Sequence, residues 1–156
     1  MKLLHTLALS IAALVAVWVY LSIGRPELRL NPWIGFVSWA AFFAAGGGSA
    51  GALKSVAGGI AAILLTAATM ATVAALGGGL PWLIGLVAVL AFVLVAMADV
   101  PVLAYTPAAF LGAASFFGAG AKADETILLV SITWVAGVAF GFASELIGKR
   151  VAAPAV

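Results

Sequence analysis

Charged residues are so sparse in this chain that the gaps between them set its architecture. The twelve Lys, Arg, Asp and Glu residues leave charge-free tracts at 3–24, 30–53, 55–98, 100–121 and 126–144. A transmembrane helix needs roughly 20 apolar residues to cross about 30 Å of hydrocarbon. Four tracts hold one such helix each. The tract 55–98 holds two, because Gly77-Gly78-Gly79-Leu80-Pro81 supplies a turn at its middle. The spacing therefore predicts an all-α membrane protein with six transmembrane helices near 3–23, 33–50, 55–76, 81–98, 101–119 and 126–147. They form one integral domain over 1–156, divided into three-span halves at 1–76 and 81–150.

Composition agrees and excludes other classes. Hydrophobic residues make up 66% of the chain and charged residues 8%, where a soluble domain carries about 25% charged residues to cover its surface. A net charge of +2 spread over so few groups makes no basic patch, so nucleic acid is not an expected partner. There is no Cys, and His5 is the single His. No metal, haem or other cofactor is expected. Neither a P-loop nor a G-x-S-x-G elbow is present, and the spans gather no catalytic cluster. The expected partners are the lipid bilayer and a small solute, and the chain reads as a non-enzyme.

The apolar stretch that follows Met-Lys-Leu-Leu runs longer than the h-region of a signal peptide, so it is expected to stay as a helix. Orientation rests on a small basic bias. Lys2, Lys54, Lys149 and Arg150 fall on one side, and Arg25, Arg29 and Lys122 on the other. The positive-inside rule then places both termini in the cytoplasm.

Spans 2 and 5 are poor ordinary helices. Span 2 runs into Gly46-Gly47-Gly48-Ser49, and glycine costs a helix about 1 kcal/mol relative to alanine. Span 5 contains Thr106-Pro107, where proline removes a donor and a half-helix starts. Both are expected to be broken, and each is the middle of a three-span half. A shift of 68 residues lays Ala40-Ala41-Phe42 on Ala108-Ala109-Phe110 and Lys54 on Lys122. Because three is odd, a second copy would sit inverted. Paired interrupted segments in two inverted halves point to a transport site. Close packing of small residues is the competing explanation.

The run Trp39-Ala-Ala-Phe42-Phe43, with its small-residue turn and Lys54, looks like one half of a known family. The run Pro107-Ala-Ala-Phe110-Leu-Gly112-Ala-Ala-Ser-Phe116 looks like the other. Together they resemble small bacterial inner-membrane proteins grouped as domain of unknown function 1097, over about 30–145. The chain departs from the family at Gly46-Gly47-Gly48, where a Pro-Gly-Gly type of turn is expected. The resemblance implies a bacterial cytoplasmic membrane and a compact six-helix fold, and it implies no substrate. Thr106-Pro107 with Phe110 is also similar to the Thr-x-Pro-Phe half-helix motif of urea transporters, which are built from inverted repeats. The spacing differs, and this chain is far shorter.

Several side chains carry two readings each. Trp39, Phe42, Phe43, Phe110 and Phe116 form either a slot that strips water from a solute or plain packing. With Gly47, Thr66, Thr69, Thr106 and Pro107 they make up the candidate solute path. Thr66, Thr69 and Thr72 recur every three residues, either lining a path or bonding their own helix carbonyls. Asp99 and Glu145 are the candidate coupling acids; otherwise Asp99 is an interfacial charge and Glu145 pairs with Lys149 at i,i+4. Lys54 and Lys122 either attract anions or mark the membrane boundary. Gly137-x-x-x-Gly141 is a close-packing motif.

The leading expectation is a channel or facilitator for a small polar, largely uncharged solute. A proton-coupled transporter and an accessory membrane subunit are the alternatives. A homo-oligomer, taken as a trimer, is expected because six short helices bury little surface.

Overall fold

The computed structural model describes residues 2–152, so residue 1 and residues 153–156 of the expected 1–156 domain lie outside the described residues. The described residues form six α-helices: α1 (Leu3–Ser22), α2 (Pro32–Ala44), α3 (Gly48–Ala75), α4 (Leu80–Ala96), α5 (Thr106–Gly118) and α6 (Thr126–Val151). Short 3₁₀ turns occupy Pro26–Leu28, Met97–Asp99 and Pro101–Leu103.

Six helices form where six spans were expected, but they are unequal in length. The stretches Leu3–Ser22, Gly48–Ala75, Leu80–Asp99 and Thr126–Val151 are long and apolar enough to cross a membrane. In contrast, α2 and α5 have 13 residues each, which at 1.5 Å per residue reach only about 20 Å. Local chemistry explains both. Pro32 and Pro107 sit in the first turns of α2 and α5, where a missing N–H costs nothing. The 3₁₀ turns at 97–103 use up the start of the expected fifth span. At the far end of α2, Gly46, Gly47 and Gly48 take φ of 96, 67 and 62° in succession, a conformation that stops the helix and that bulky residues avoid. Gly47 N–H returns to the Phe42 carbonyl and Gly46 N–H to that of Phe43. Ala121 and Gly120 close α5 on Phe116 and Phe117 in the same way.

The expected boundaries move accordingly. α3 begins at Gly48, seven residues before the expected 55, so Lys54 lies inside a helix rather than at its edge. α6 extends to Val151 and carries Lys149 and Arg150 in its last turn, where cations suit the negative end of the helix dipole.

Exposure is inverted relative to a soluble protein. Leu64, Ile84, Phe92 and Leu128 face outward, whereas Ser38, Ser55, Thr66, Ser115, Thr133 and Ser144 are fully buried. Lipid tails solvate leucine as well as a protein core does, so large side chains face out and small ones let helices approach. The main core holds Ile34, Phe42, Ile63, Phe116, Trp134 and Val138. A smaller one joins Leu90 and Leu94 of α4 to Ala62, Ala109 and Ala113. The outward apolar surface and four long helices make this a multi-pass membrane protein.

Candidate functional site

The two short helices lie on the two longest ones. α2 runs beside α6 in the same direction, with contacts that step from Asn31 at Thr133 to Gly48 at Glu145. α5 runs beside α3 likewise, with Ala108 over Gly58 and Gly112 over Gly59. Both pairs cross glycine on glycine. A Cβ on Gly112 would come 2.5 Å from the Gly59 carbonyl oxygen. A Cβ on Gly137 would overlap the Ser38 hydroxyl and the Gly35 carbonyl oxygen. Only glycine allows backbones this close. One turn beyond each crossing glycine of the short helices stands a fully buried serine, Ser38 on α2 and Ser115 on α5.

The centre between these crossings is filled by rings. Phe42 and Phe116 belong to one buried cluster with Trp134, and Phe43 packs against it. Trp134 Nε1–H donates to the Ser55 carbonyl over 3.0 Å. Trp39 donates to Ser144 Oγ over 3.2 Å and tilts against Phe140 at 5.7 Å between centroids. Such buried ring N–H groups need partners, and both have them.

The other candidates are dispersed. Thr66, Thr69 and Thr72 donate to the carbonyls of Ala62, Leu65 and Ala68, so all three hydroxyls are spent on their own helix. Thr69 lines a groove between α3 and α4. Phe110 lines an apolar groove between α4 and α5. Thr106 opens α5, and Pro107 beside it is exposed. Asp99 is exposed at the end of its 3₁₀ turn. Glu145 accepts the Gly48 N–H at 2.7 Å and pairs with Lys149, so its carboxylate caps the start of α3 from across the molecule. Gly47 lies directly under that carboxylate. Thus Phe42, Phe43 and Phe116 come together in one place, and Gly47 and Glu145 in another.

The sequence reading passed over the opposite end. There Arg29 donates twice to Glu125, at 2.9 and 2.7 Å. Its guanidinium holds the Glu125 carboxyl below the ordinary range. Beside the pair, Asn31 N–H reaches Thr133 Oγ1 at 3.4 Å, and that hydroxyl donates to the Leu129 carbonyl at 2.8 Å.

A legible signal also went unused. Trp33-Ile-Gly35-x-x-Ser38-Trp39 repeats as Phe110-Leu-Gly112-x-x-Ser115-Phe116, 77 residues on. Ser55, Gly59 and Thr66 of α3 match Thr133, Gly137 and Ser144 of α6 at 78. The 68-residue shift does not pair equivalent elements, since it sets Lys54 inside α3 on Lys122 in the loop before α6.

The model of the family described as "Protein of unknown function (DUF1097)" matches residues 8–149. No curated protein and no solved structure matches the chain. With nearly all of its length covered by that family model, the chain belongs to the DUF1097 family.

Proposed function

We propose that the chain is a channel or facilitator for a small polar, uncharged solute, built as two inverted three-helix repeats. The observation that carries this reading is the paired crossing of Gly35 with Gly137 and Gly112 with Gly59. Each half supplies a long helix, a short proline-headed helix and a longer helix. The short helix of each half lies on the long helix of the other. Paired short helices at equivalent places in two inverted halves are the usual frame of a membrane transport site.

The path would follow the seam between the halves. Phe42, Phe116 and Trp134 close that seam here, so flux requires one half to rock against the other. No charge lies among them, which suits a neutral cargo. Glu145, already engaged by the Gly48 N–H and Lys149, serves in this reading as a tie rather than a proton carrier. We further place the protein in a bacterial cytoplasmic membrane, with both termini cytoplasmic beside Lys149 and Arg150, as a homo-oligomer such as a trimer.

The filled seam favours a second reading, an accessory membrane subunit that passes nothing. Swelling of proteoliposomes in urea, short amides, formate, ammonia and glycerol separates the two. Flux above that of empty liposomes for at least one neutral solute is expected; rates equal to empty liposomes for all of them leave only the accessory reading. Glu145→Gln tests coupling in the same assay, and downhill flux should survive it.

A further inference from the structure

The start of α2, the end of α5 and the first turns of α6 enclose a recess of about 180 Å³. Arg29, Asn31, Thr126 and Thr133 give it polar walls, and Ala119 and Leu129 complete it. The grooves between α4 and α5 and between α3 and α6 are apolar by contrast.

Three observations single this recess out. First, the Asn31 side-chain oxygen is buried and accepts no hydrogen bond. A buried acceptor left unpaired costs about 1–3 kcal/mol. Its neighbour Thr133 cannot help, because that hydroxyl donates to Leu129.

Second, Arg29 and Ala121 have φ of 53 and 54°, the two non-glycine positive values among the described residues. Both flank this recess: Arg29 lines it, and Ala121 follows the lining Ala119 by two residues. Each such residue costs roughly 1–2 kcal/mol, and strain of this kind concentrates at ligand sites.

Third, the Arg29 guanidinium is held at both ends by Glu125. Its charge is already answered, so the recess has no free cation for an anion and no free carboxylate for a cation.

We propose that this recess binds a small neutral solute of the primary-amide or urea class. Once the Asn31 carboxamide turns toward the recess it lines, such a molecule donates N–H to Oδ1 and accepts from Nδ2 of the same group. Because it carries donor and acceptor together, it satisfies the Asn31 carboxamide in either of its two flipped orientations. The volume takes a handful of heavy atoms, given about 30 Å³ for a water molecule in the liquid. The proposal deepens the facilitator reading by naming its solute class, and it rests on that reading only for flux, not for binding.

Acetamide and acetate share a shape and differ in charge, so they test the site directly. The full chain in detergent is titrated with each by isothermal calorimetry. Saturable binding of acetamide and at least tenfold weaker binding of acetate are expected. Asn31→Leu should weaken acetamide binding at least tenfold. Ala119→Leu fills the recess without touching Asn31, should do the same, and covers the case in which the first variant does not fold. Equal binding of acetate, or wild-type acetamide binding in whichever of these variants folds, overturns the site. Proteoliposome swelling in acetamide is scored separately. Binding without flux removes the facilitator and keeps the site. Flux together with wild-type acetamide binding in Asn31→Leu removes the site and keeps the facilitator.

Discussion

The two ends of the short helices invite comparison, because equivalent backbone carries different chemistry. Where α2 begins, Asn31 precedes the helix, and its N–H is taken by Thr133 of α6. Where α5 begins, Tyr105 precedes the helix and packs against the main core. The α3 counterpart of Thr133 is Ser55, whose hydroxyl is buried without a partner. One end is thus a polar recess flanked by an ion pair, and the other is tied by the Glu145 carboxylate at the Gly48 N–H. The glycine crossings are shared because packing demands them; the ends differ because nothing in the packing fixes them.

The sharpest way to break this comparison is to crowd the crossings. Gly137→Leu and Gly112→Leu should each abolish folding to a monodisperse protein in detergent, since either side chain meets backbone. Gly112→Ala and Gly137→Ala should both destabilise by about 1–3 kcal/mol or more, the usual range for overpacking. Gly85→Ala, with open space at its Cβ, should be silent by thermal melting. Tolerance at one crossing and intolerance at the other would show that the two are not equivalent.

A smaller effect is expected at the seam. Trp134→Phe keeps an aromatic ring but deletes the donor to the Ser55 carbonyl and leaves part of the indole volume empty, and should cost about 2–4 kcal/mol. The same change at Trp39, whose partner is a hydroxyl that already donates to the Gly141 carbonyl, should cost less. Denaturation in mixed micelles ranks the two.

Ala121→Gly tests the strained end of α5. Glycine adopts φ of 54° freely, so the variant should be more stable by about 1 kcal/mol. If the recess is a ligand site, it should also bind acetamide less well, because the chain there is less fixed.

The smallest effect belongs to the Arg29–Glu125 pair, which is exposed. Arg29 lowers the Glu125 pKa. The stabilisation is therefore present above the unfolded carboxylate value of about 4.3 and lost as pH falls through the lower folded value. Glu125→Gln should flatten that acid-side loss in a melting series and leave neutral pH nearly unchanged.

Much of the fold was legible because charges cannot sit in hydrocarbon. Lys2, Arg25, Asp99 and Glu125 bracket α1, α4 and α6 closely. The shortness of α2 and α5 was half visible: the Gly46–Gly48 run was expected to end or unwind span 2 and Pro107 to head a half-helix, and α2 does stop before the glycines while Pro107 stands in the first turn of α5, but the turns at 97–103 were counted as part of a full span. Charge gaps measure tract length, and they cannot tell a helix from the turns at its ends. The matches at 77 and 78 residues were missed because Ala-Ala-Phe, common in so alanine-rich a chain, drew the comparison to 68. The informative positions were the rarer Gly35 and Ser38 against Gly112 and Ser115. Asn31 escaped notice because a single amide beside a proline reads as an ordinary helix start, and only the fold brings it to Thr133.

The shortness of α2 and α5 has a consequence for the surrounding lipid. Both helices expose rings, Trp33 and Phe36 on one and Phe110 and Phe117 on the other, so acyl chains reach them. Beside α1, α4 and the long helices the apolar belt is full height, whereas beside the short ones it is about 20 Å. Lipids next to α2 and α5 must shorten or tilt, at a fraction of a kcal/mol per Å. The annulus is therefore uneven around the perimeter, and a thinner bilayer relieves the strain. Chain length of the host lipid thereby becomes a variable that acts on this protein through its outline alone.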